Sequence, residues 1–125
     1  LFCNEVEAQA MTGETDSRKA FDKLLALVDT LFLTLGAKGS LAGKSGHDPV
    51  QVGTFPIEAV DTTGAGDAFV GCFLYQLSLE ENLETVLKDY NKIQKMIAIS
   101  NKAGAITTTQ FGAINALPTA SQIGF

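Results

Sequence analysis

Residues 61–69 read Asp61-Thr62-Thr63-Gly64-Ala65-Gly66-Asp67-Ala68-Phe69, the motif with the clearest chemical meaning in the chain. A short extended segment, residues 55–60, leads into this motif, and apolar residues recur at helical spacing after it. Gly64 and Gly66 allow backbone conformations closed to other residues and let a ligand approach the main chain. The first turn of the following helix leaves its amide N–H groups unpaired at the positive end of the helix dipole. The motif therefore predicts a binding site for an anion, typically a phosphate group.

Asp67 lies within this predicted anion site, where its carboxylate would repel a bound phosphate. The residue fits if the carboxylate accepts a proton from a hydroxyl while the amides stabilise charge on a transferring phosphoryl group. The alternative is structural, because Asp is common in the first turn of helices and paired glycines are common in turns. A bare Gly-x-Gly-Asp pattern is too weak to choose between the two.

The whole pattern of extended segment, motif and helix closely resembles the C-terminal signature of the ribokinase-like (PfkB) carbohydrate and nucleoside kinases. The resemblance implies an α/β fold of three layers with a mainly parallel sheet. Residues 1–125 would supply the C-terminal ATP-binding and catalytic portion of a single kinase domain. The resemblance also assigns the catalytic base to Asp67, and the anion hole to the amides of Gly64, Ala65 and Gly66. A continuously apolar run at residues 31–35 is typical of a strand buried in such a sheet.

The length of the chain bears on this resemblance, because the kinases of the family are much longer than 125 residues. The chain begins at Leu1, without an initiator methionine, in what resembles the end of a buried strand. We therefore expect part of a longer protein, without the substrate-binding half and its lid, and we expect this part alone to be inactive. Family members often pair through that lid, which leaves a homodimer of the full-length protein open.

Two N-terminal segments match family motifs on the nucleotide side. Asn4 and Glu7 have the spacing of a helix cap, and the same Asn-x-x-Glu pattern implies a Glu that organises Mg²⁺, mostly through water. We predict both roles for Glu7. Thr34, Gly36 and Gly39 follow the buried strand in a pattern that hairpins also use. Because the pattern matches the family segment along the phosphates and base of ATP, we assign these residues to ATP binding.

The longest periodic segment, residues 80–103, predicts one helix whose C-terminal end is rich in small residues. Small side chains between Asn101 and Ala105 would leave room for an adenine ring, and Asn101 supplies amide hydrogen-bonding groups. A helix that merely ends in small residues explains the same pattern. Both interpretations stay open.

Residues 107–119 complete the resemblance, because many family members coordinate a monovalent cation in this region. Their ligands are backbone carbonyls together with the first residues of the Asp-Thr-Thr run. The resemblance gives five candidate ligands for K⁺: Asp61, Thr63, Thr107, Gln110 and Gly112. Position 116, where some members carry a hydroxyl residue, is Ala116 here and departs from that pattern.

Charge and cysteine usage restrict the partners and the compartment. A net charge of −5 without a basic cluster argues against nucleic acid, and no segment reaches the apolar length of a membrane span. Cys3 and Cys72 are far apart in apolar settings. A disulfide or a metal site is therefore disfavoured, and a reducing cytoplasm is the expected location.

These observations predict an ATP-dependent phosphotransferase that acts on a primary hydroxyl of a sugar, with ATP and Mg²⁺ as cofactors. Residues 112–119 resemble fructokinase-type members most closely, whereas residues 1–8 are closer to adenosine-kinase-like members. A nucleoside kinase is therefore the alternative within the family. Two alternatives lie outside the family. A nucleotide-binding module without turnover is disfavoured because Asp67 is retained. A Rossmann domain is disfavoured because no Gly-x-Gly-x-x-Gly follows a strand.

Overall fold

The structure is a computed structural model that describes all residues from Leu1 to Phe125. The chain forms an α/β fold of four strands and six helices, with one 3-10 turn at Gly36–Lys38. In chain order the elements are β1 (Phe2–Asn4), α1 (Glu5–Thr12), α2 (Ser17–Leu25), β2 (Thr30–Thr34), β3 (Ser40–Lys44), β4 (Val50–Val52), α3 (Ala65–Ser78), α4 (Leu83–Val86), α5 (Tyr90–Thr107) and α6 (Ala120–Ile123). None of the helices combines the length and the apolarity that crossing a bilayer requires. The chain divides into two compact units, Leu1–Gly53 and Thr54–Phe125.

The first unit contains the whole sheet, with the strands in the order β1-β2-β3-β4. β1 pairs with β2 in parallel, whereas β2 with β3 and β3 with β4 are antiparallel. The sheet of this chain is therefore mixed, and the predicted parallel pairing holds for β1 and β2 only. The physical reason is the short connection between β2 and β3, because a parallel crossover needs about a dozen residues or more.

Helices α1 and α2 cover the sheet of the first unit with apolar side chains. The capping box predicted for α1 is present, with Glu7 N–H donating to Asn4 Oδ1 at 2.8 Å and Asn4 N–H donating to Glu7 Oε2 at 2.9 Å. Phe21 of α2 lies against Gly43 of β3, where an added Cβ would be 2.7 Å from its ring. The core of this unit consists of Cys3, Ala8, Ala20, Phe21, Leu24, Leu31, Leu33, Leu35 and Leu41.

The second unit is entirely helical, and its main contact is between α3 and α5. Both helices bury apolar side chains in this unit: Ala68, Phe69 and Phe73 from α3, and Ile93, Met96, Ile97 and Ala103 from α5. The single helix predicted for residues 80–103 is wrong, because Asp89 interrupts it. The Asp89 carboxylate accepts the Lys92 N–H at 3.1 Å and caps a new helix, α5, which continues to Thr107.

The extended segment before the motif, residues 55–60, is not a strand of the sheet. Phe55 and Val60 are each 50% exposed, and Pro56 has no N–H to donate to a ladder. Val60 N–H instead donates to the Thr108 carbonyl at 2.8 Å. The extended segment therefore pairs with no strand of this chain, and its last residue is bonded to the loop after α5.

A buried polar group, the amide of Gln76, joins α3 to α5. Gln76 Nε2 donates to the Met96 carbonyl at 3.0 Å and to Ser100 Oγ at 3.1 Å, while Ser100 Oγ donates to the same carbonyl at 2.8 Å. Gln76 and Ser100 are both buried. The amide NH₂ therefore supplies donors to two acceptors of α5.

We expect Gln76→Glu to lower the free energy of unfolding of the full-length protein by about 3 kcal/mol or more. The carboxylate would replace a donor by an acceptor that faces a carbonyl oxygen in a buried setting. Urea unfolding measures this loss. The matched control is Gln76→Met, which removes the amide without adding charge and leaves Ser100 bonded to Met96. Equal unfolding midpoints for the two variants would contradict the assignment.

Candidate active site

Gly64 is the residue at which the backbone turns into α3. It is the N-cap, with φ +79° and ψ −3° in the left-handed region. A Cβ added there would lie 2.7 Å from Ala113 Cβ and 3.1 Å from Ala113 Cα. Glycine is therefore required at position 64 both for its backbone conformation and for its packing.

Gly66 plays a different part in the same turn, because the fold leaves open space beside it. A Cβ at position 66 would meet no atom within 4 Å. Ala65 N–H donates to the Thr62 carbonyl at 3.3 Å and Ala68 N–H to the Gly64 carbonyl at 2.9 Å, while the N–H groups of Gly66 and Asp67 have no acceptor in the chain. These two amides can bind an anion that approaches the start of α3.

Asp67 lies in the first turn of α3, and its side chain is exposed. The carboxylate makes no hydrogen bond or ion pair within the chain. A carboxylate with free lone pairs, one residue beyond an amide that can bind an anion, has the chemistry of a proton acceptor beside a phosphoryl group.

Asp61 connects the turn before α3 to the loop after α5. One carboxylate oxygen, Oδ1, accepts the Thr63 N–H at 2.9 Å, and the other, Oδ2, accepts the Gly112 N–H at 3.0 Å. Hydrogen bonds from the Thr63 side chain, the Thr63 N–H and the Gly112 N–H lower the pKa of the Asp61 carboxyl. The stability that these bonds provide is present above the ordinary pKa of Asp and is lost as the pH falls through the lowered pKa.

The five residues predicted as ligands of K⁺ are placed differently by the structure. Asp61, Thr63 and Gly112 are brought together by the hydrogen bonds of the Asp61 carboxylate. Thr107 is buried, and its hydroxyl donates to the Ala103 carbonyl at 2.9 Å, whereas Gln110 is exposed. A carboxylate and nearby backbone carbonyls are hard oxygen ligands, so the donor set fits a cation. Ala116 is buried and adds no side-chain oxygen.

Asn101 and Ala105, predicted to contact adenine, both lie in the C-terminal half of α5. Asn101 is buried, its carbonyl accepts the Thr54 hydroxyl at 3.4 Å, and Ala105 is half-buried. Between them, Gly104 would bring an added Cβ to 3.0 Å from the Ala65 carbonyl oxygen. Gly104 is therefore needed for the close approach of α5 to the start of α3. The adenine pocket stays a prediction.

The two glycines predicted to line ATP in the first unit are required by the turn between β2 and β3. Gly36 and Gly39 have φ +56° and +89°. A Cβ at Gly39 would lie 2.0 Å from the Val52 carbonyl oxygen, which no side chain can tolerate. Thr34 ends β2 and pairs with Ser40 of β3. The turn exposes Gly36, and its role toward ATP stays a prediction.

Glu7 is confirmed as the N3 residue of the capping box, and its side chain is exposed. No group of three or more His, Cys, Asp or Glu side chains is arranged to hold a metal ion. Mg²⁺ is commonly bound through one or two carboxylates together with water and the phosphates of the substrate. A single carboxylate such as Glu7 fits that kind of site, and its role toward Mg²⁺ stays a prediction.

Sequence reasoning missed Thr108 and Ala113, which support the motif from the loop after α5. The Thr108 carbonyl accepts the N–H groups of Val60 and Asp61 at 2.8 and 3.1 Å. Ala113 fills the space beside Gly64. Only the resemblance, which pointed to residues 107–119, gave a signal for this loop.

Comparison with known proteins identifies the family. The model described as pfkB family carbohydrate kinase matches residues 1–120. This chain belongs to that family. Within it, "Probable fructokinase-3" of Arabidopsis thaliana is 40% identical to this chain over 119 residues, which is 93% of the chain and 33% of that protein. "Fructokinase-2" of Solanum lycopersicum is 39% identical over 122 residues, or 95% of the chain and 36% of the relative. The chain thus spans about a third of the length of these relatives.

Solved structures confirm the predicted ribokinase-like α/β fold of this pfkB-family chain. A fructokinase from Vibrio cholerae O395, in fructose, ADP and calcium ion bound form, superposes with a TM-score of 0.86 at 32% identity. An aminoimidazole riboside kinase from Salmonella enterica, complexed with aminoimidazole riboside and an ATP analog, gives 0.86 at 32% identity. These comparisons cover 98% of this chain, and 38% and 39% of the two structures.

Proposed function

We propose that this chain is the ATP-binding and catalytic portion of a fructokinase-like kinase that transfers the γ-phosphoryl group of ATP to a primary hydroxyl of a sugar. The observation that carries the proposal is the first turn of α3, where unpaired amides and an exposed carboxylate coincide. The N–H groups of Gly66 and Asp67 have no acceptor, and the Asp67 carboxylate has no partner. Membership of the pfkB family over residues 1–120 supports the reaction class.

In the proposed reaction, the oxygen of the sugar hydroxyl forms a bond to the γ-phosphorus of ATP, and Asp67 accepts the proton of that hydroxyl. The bond between that phosphorus and the bridging oxygen of ATP breaks, and ADP leaves with the electron pair. The N–H groups of Gly66 and Asp67, together with the helix dipole, stabilise the charge on the phosphoryl oxygens. The Ala65 N–H, predicted for the same role, instead donates to the Thr62 carbonyl at 3.3 Å. Mg²⁺ bound with ATP would neutralise phosphate charge, with Glu7 as its water-mediated residue in this chain.

The names of the relatives support a sugar as the acceptor. The two plant relatives are named fructokinases, and the Vibrio cholerae structure holds fructose and ADP. A nucleoside is the second candidate, because a kinase that holds aminoimidazole riboside and an ATP analog matches this chain equally well. A double mutant of the Vibrio cholerae enzyme was solved in a fructose, ADP and potassium ion bound form, which supports K⁺ as a further cofactor. The free thiols Cys3 and Cys72 suit a cytoplasmic enzyme.

The test of the proposed function is ADP formation by the full-length protein with fructose, ribose, adenosine and 2-keto-3-deoxygluconate offered in turn. We expect fructose to give the highest kcat/KM. Fastest turnover of adenosine would replace the sugar by a nucleoside, and ATP binding without turnover of any acceptor would establish a non-catalytic nucleotide-binding module.

We expect Glu7→Gln to raise the Mg²⁺ concentration needed for half-maximal activity by about tenfold. Loss of a carboxylate that reaches a metal ion only through its ligands has an effect of this size at other metal sites. Gln can replace Glu in a capping box, so α1 should keep its N-terminal cap. The measurement is a Mg²⁺ titration of the full-length enzyme at saturating ATP. Asn4→Ala serves as the control, because it removes the cap at Asn4 Oδ1 and leaves the Glu7 carboxylate. An unchanged Mg²⁺ dependence in Glu7→Gln would leave Glu7 with the capping role alone.

A further inference from the structure

The Asp61 carboxylate joins segments that are 51 positions apart in the chain. Its two oxygens are divided between them, one bound to Thr63 N–H at 2.9 Å and the other to Gly112 N–H at 3.0 Å. Hydrogen bonds from N–H groups to an ionised carboxylate are about twice as strong as those between neutral groups. Both hydrogen bonds lie at the surface, so their contribution rests on the ionised carboxylate and on the geometry that divides its two oxygens between the segments.

The two segments that Asp61 joins are those that place the start of α3. On one side, Thr63 immediately precedes Gly64, the left-handed residue from which α3 begins. On the other side, Gly112 immediately precedes Ala113, against which Gly64 packs. A shift of either segment would therefore displace the amides of Gly66 and Asp67 and the Asp67 carboxylate together.

We propose that Asp61 is a positioning residue of the phosphoryl-transfer site, which fixes the glycine turn to the loop after α5 before substrates bind. This inference rests on the proposed function. Catalysis by fixed dipoles and by an oriented base requires that these groups need no rearrangement when the reaction occurs. Asp61 itself does not touch the reacting atoms in this role, and it acts through Thr63, Gly64 and Gly112.

A positioning role and a cation-ligand role for Asp61 predict different responses of the variant's activity to K⁺. If Asp61 acts through its hydrogen bonds, its replacement lowers activity by the same factor with K⁺ and with choline in its place. If Asp61 acts by holding K⁺, its replacement abolishes the response to K⁺.

The variant that tests the inference is Asp61→Asn in the full-length enzyme, because Asn has nearly the same shape. Its one oxygen can accept only one of the two N–H groups, and its NH₂ would face the other. We expect kcat to fall about 10- to 100-fold, as expected for misplaced catalytic groups, while the KM for the sugar changes less than twofold and the K⁺ response is kept. The matched control is Asp89→Asn, which retains the N-cap of α5 and should keep full kcat.

Amide hydrogen exchange provides a readout that does not depend on turnover. In the free enzyme, Asp61→Asn should accelerate exchange in residues 62–67 and 110–113, and Asp89→Asn should not. Unchanged exchange, a kcat within twofold of the wild type, or loss of the K⁺ response would each overturn the inference. Absence of turnover by the wild type with every acceptor would instead refute the proposed function, and the exchange rates would then decide on Asp61 alone.

Discussion

Asp67→Asn in the full-length protein should lower kcat by about 10²- to 10⁴-fold, the range of general base catalysis. The amide of Asn cannot take the hydroxyl proton, whereas the backbone N–H of residue 67 remains available to the phosphoryl group. The KM for ATP should therefore change little. Steady-state ADP formation at saturating fructose measures kcat, and a titration of ATP measures its KM.

The control for this variant is Asp22→Asn, which neutralises an exposed carboxylate that pairs with Arg18 at 3.2 Å in α2. We expect it to leave kcat unchanged, because an exposed pair of this kind contributes little. Asp67 makes no hydrogen bond or ion pair within the chain, so its replacement should lower the free energy of unfolding by no more than about 1 kcal/mol, the contribution of a first-turn carboxylate to the helix dipole. Near-normal turnover by Asp67→Asn would refute the proposed mechanism.

The second large effect should come from Gly64→Ala, which we expect to lower the free energy of unfolding by about 2–5 kcal/mol. The left-handed backbone costs about 1–2 kcal/mol for a residue with a Cβ. The contact at 2.7 Å with Ala113 Cβ adds an overpacking cost of about 1–3 kcal/mol. Urea unfolding of the full-length protein measures the shift.

Gly66→Ala is the matched comparison, because it adds the same methyl group two residues later in open space. Ala is the better helix former by about 1 kcal/mol, so the stability of this variant should be unchanged or higher. Its methyl group stands where an anion would approach, so kcat/KM for ATP should fall. Equal stabilities of the two variants would contradict the conclusion that only Gly64 is required by its conformation and packing. Full activity of Gly66→Ala would contradict an anion site at this turn.

Local sequence patterns predicted the helix ends well, because the groups that decide them lie within a few residues. Asn4 and Glu7 cap α1 as their spacing required. The helix predicted after the glycine motif likewise begins there, with Asp67 in its first turn. In these cases the hydrogen-bonding partners of the backbone are local, and the sequence contains them side by side.

Periodicity failed where a local cap competed with it. Apolar residues keep helical spacing throughout residues 80–103, and this spacing cannot reveal that Asn82 and Asp89 each begin a helix. Both are good N-cap residues and could have been read as such. Residues 55–60 were predicted to be extended, but an extended segment becomes a strand only beside another strand, and no strand of this chain pairs with them.

The sequence predicted the motif of the candidate site but not the contacts that hold the motif against the rest of the fold. The sequence indicated an anion-binding turn and a carboxylate, both within residues 61–69. The hydrogen bond from Gly112 to Asp61 and the fit of Ala113 against Gly64 depend on tertiary structure, which no spacing along the chain encodes. Gly104 shows the same limit. Its small size suggested room for a ligand, whereas in the fold it allows α5 to approach the start of α3.

The sheet of the first unit has the same strand order as the chain itself, β1-β2-β3-β4. No strand has to be inserted later between two that have already paired, and β2, β3 and β4 are joined by short connections. Contacts between residues close in sequence favour rapid folding. During synthesis, these three strands can therefore pair as soon as Val52 has emerged from the ribosome, while α3, which carries the proposed base, is still being made.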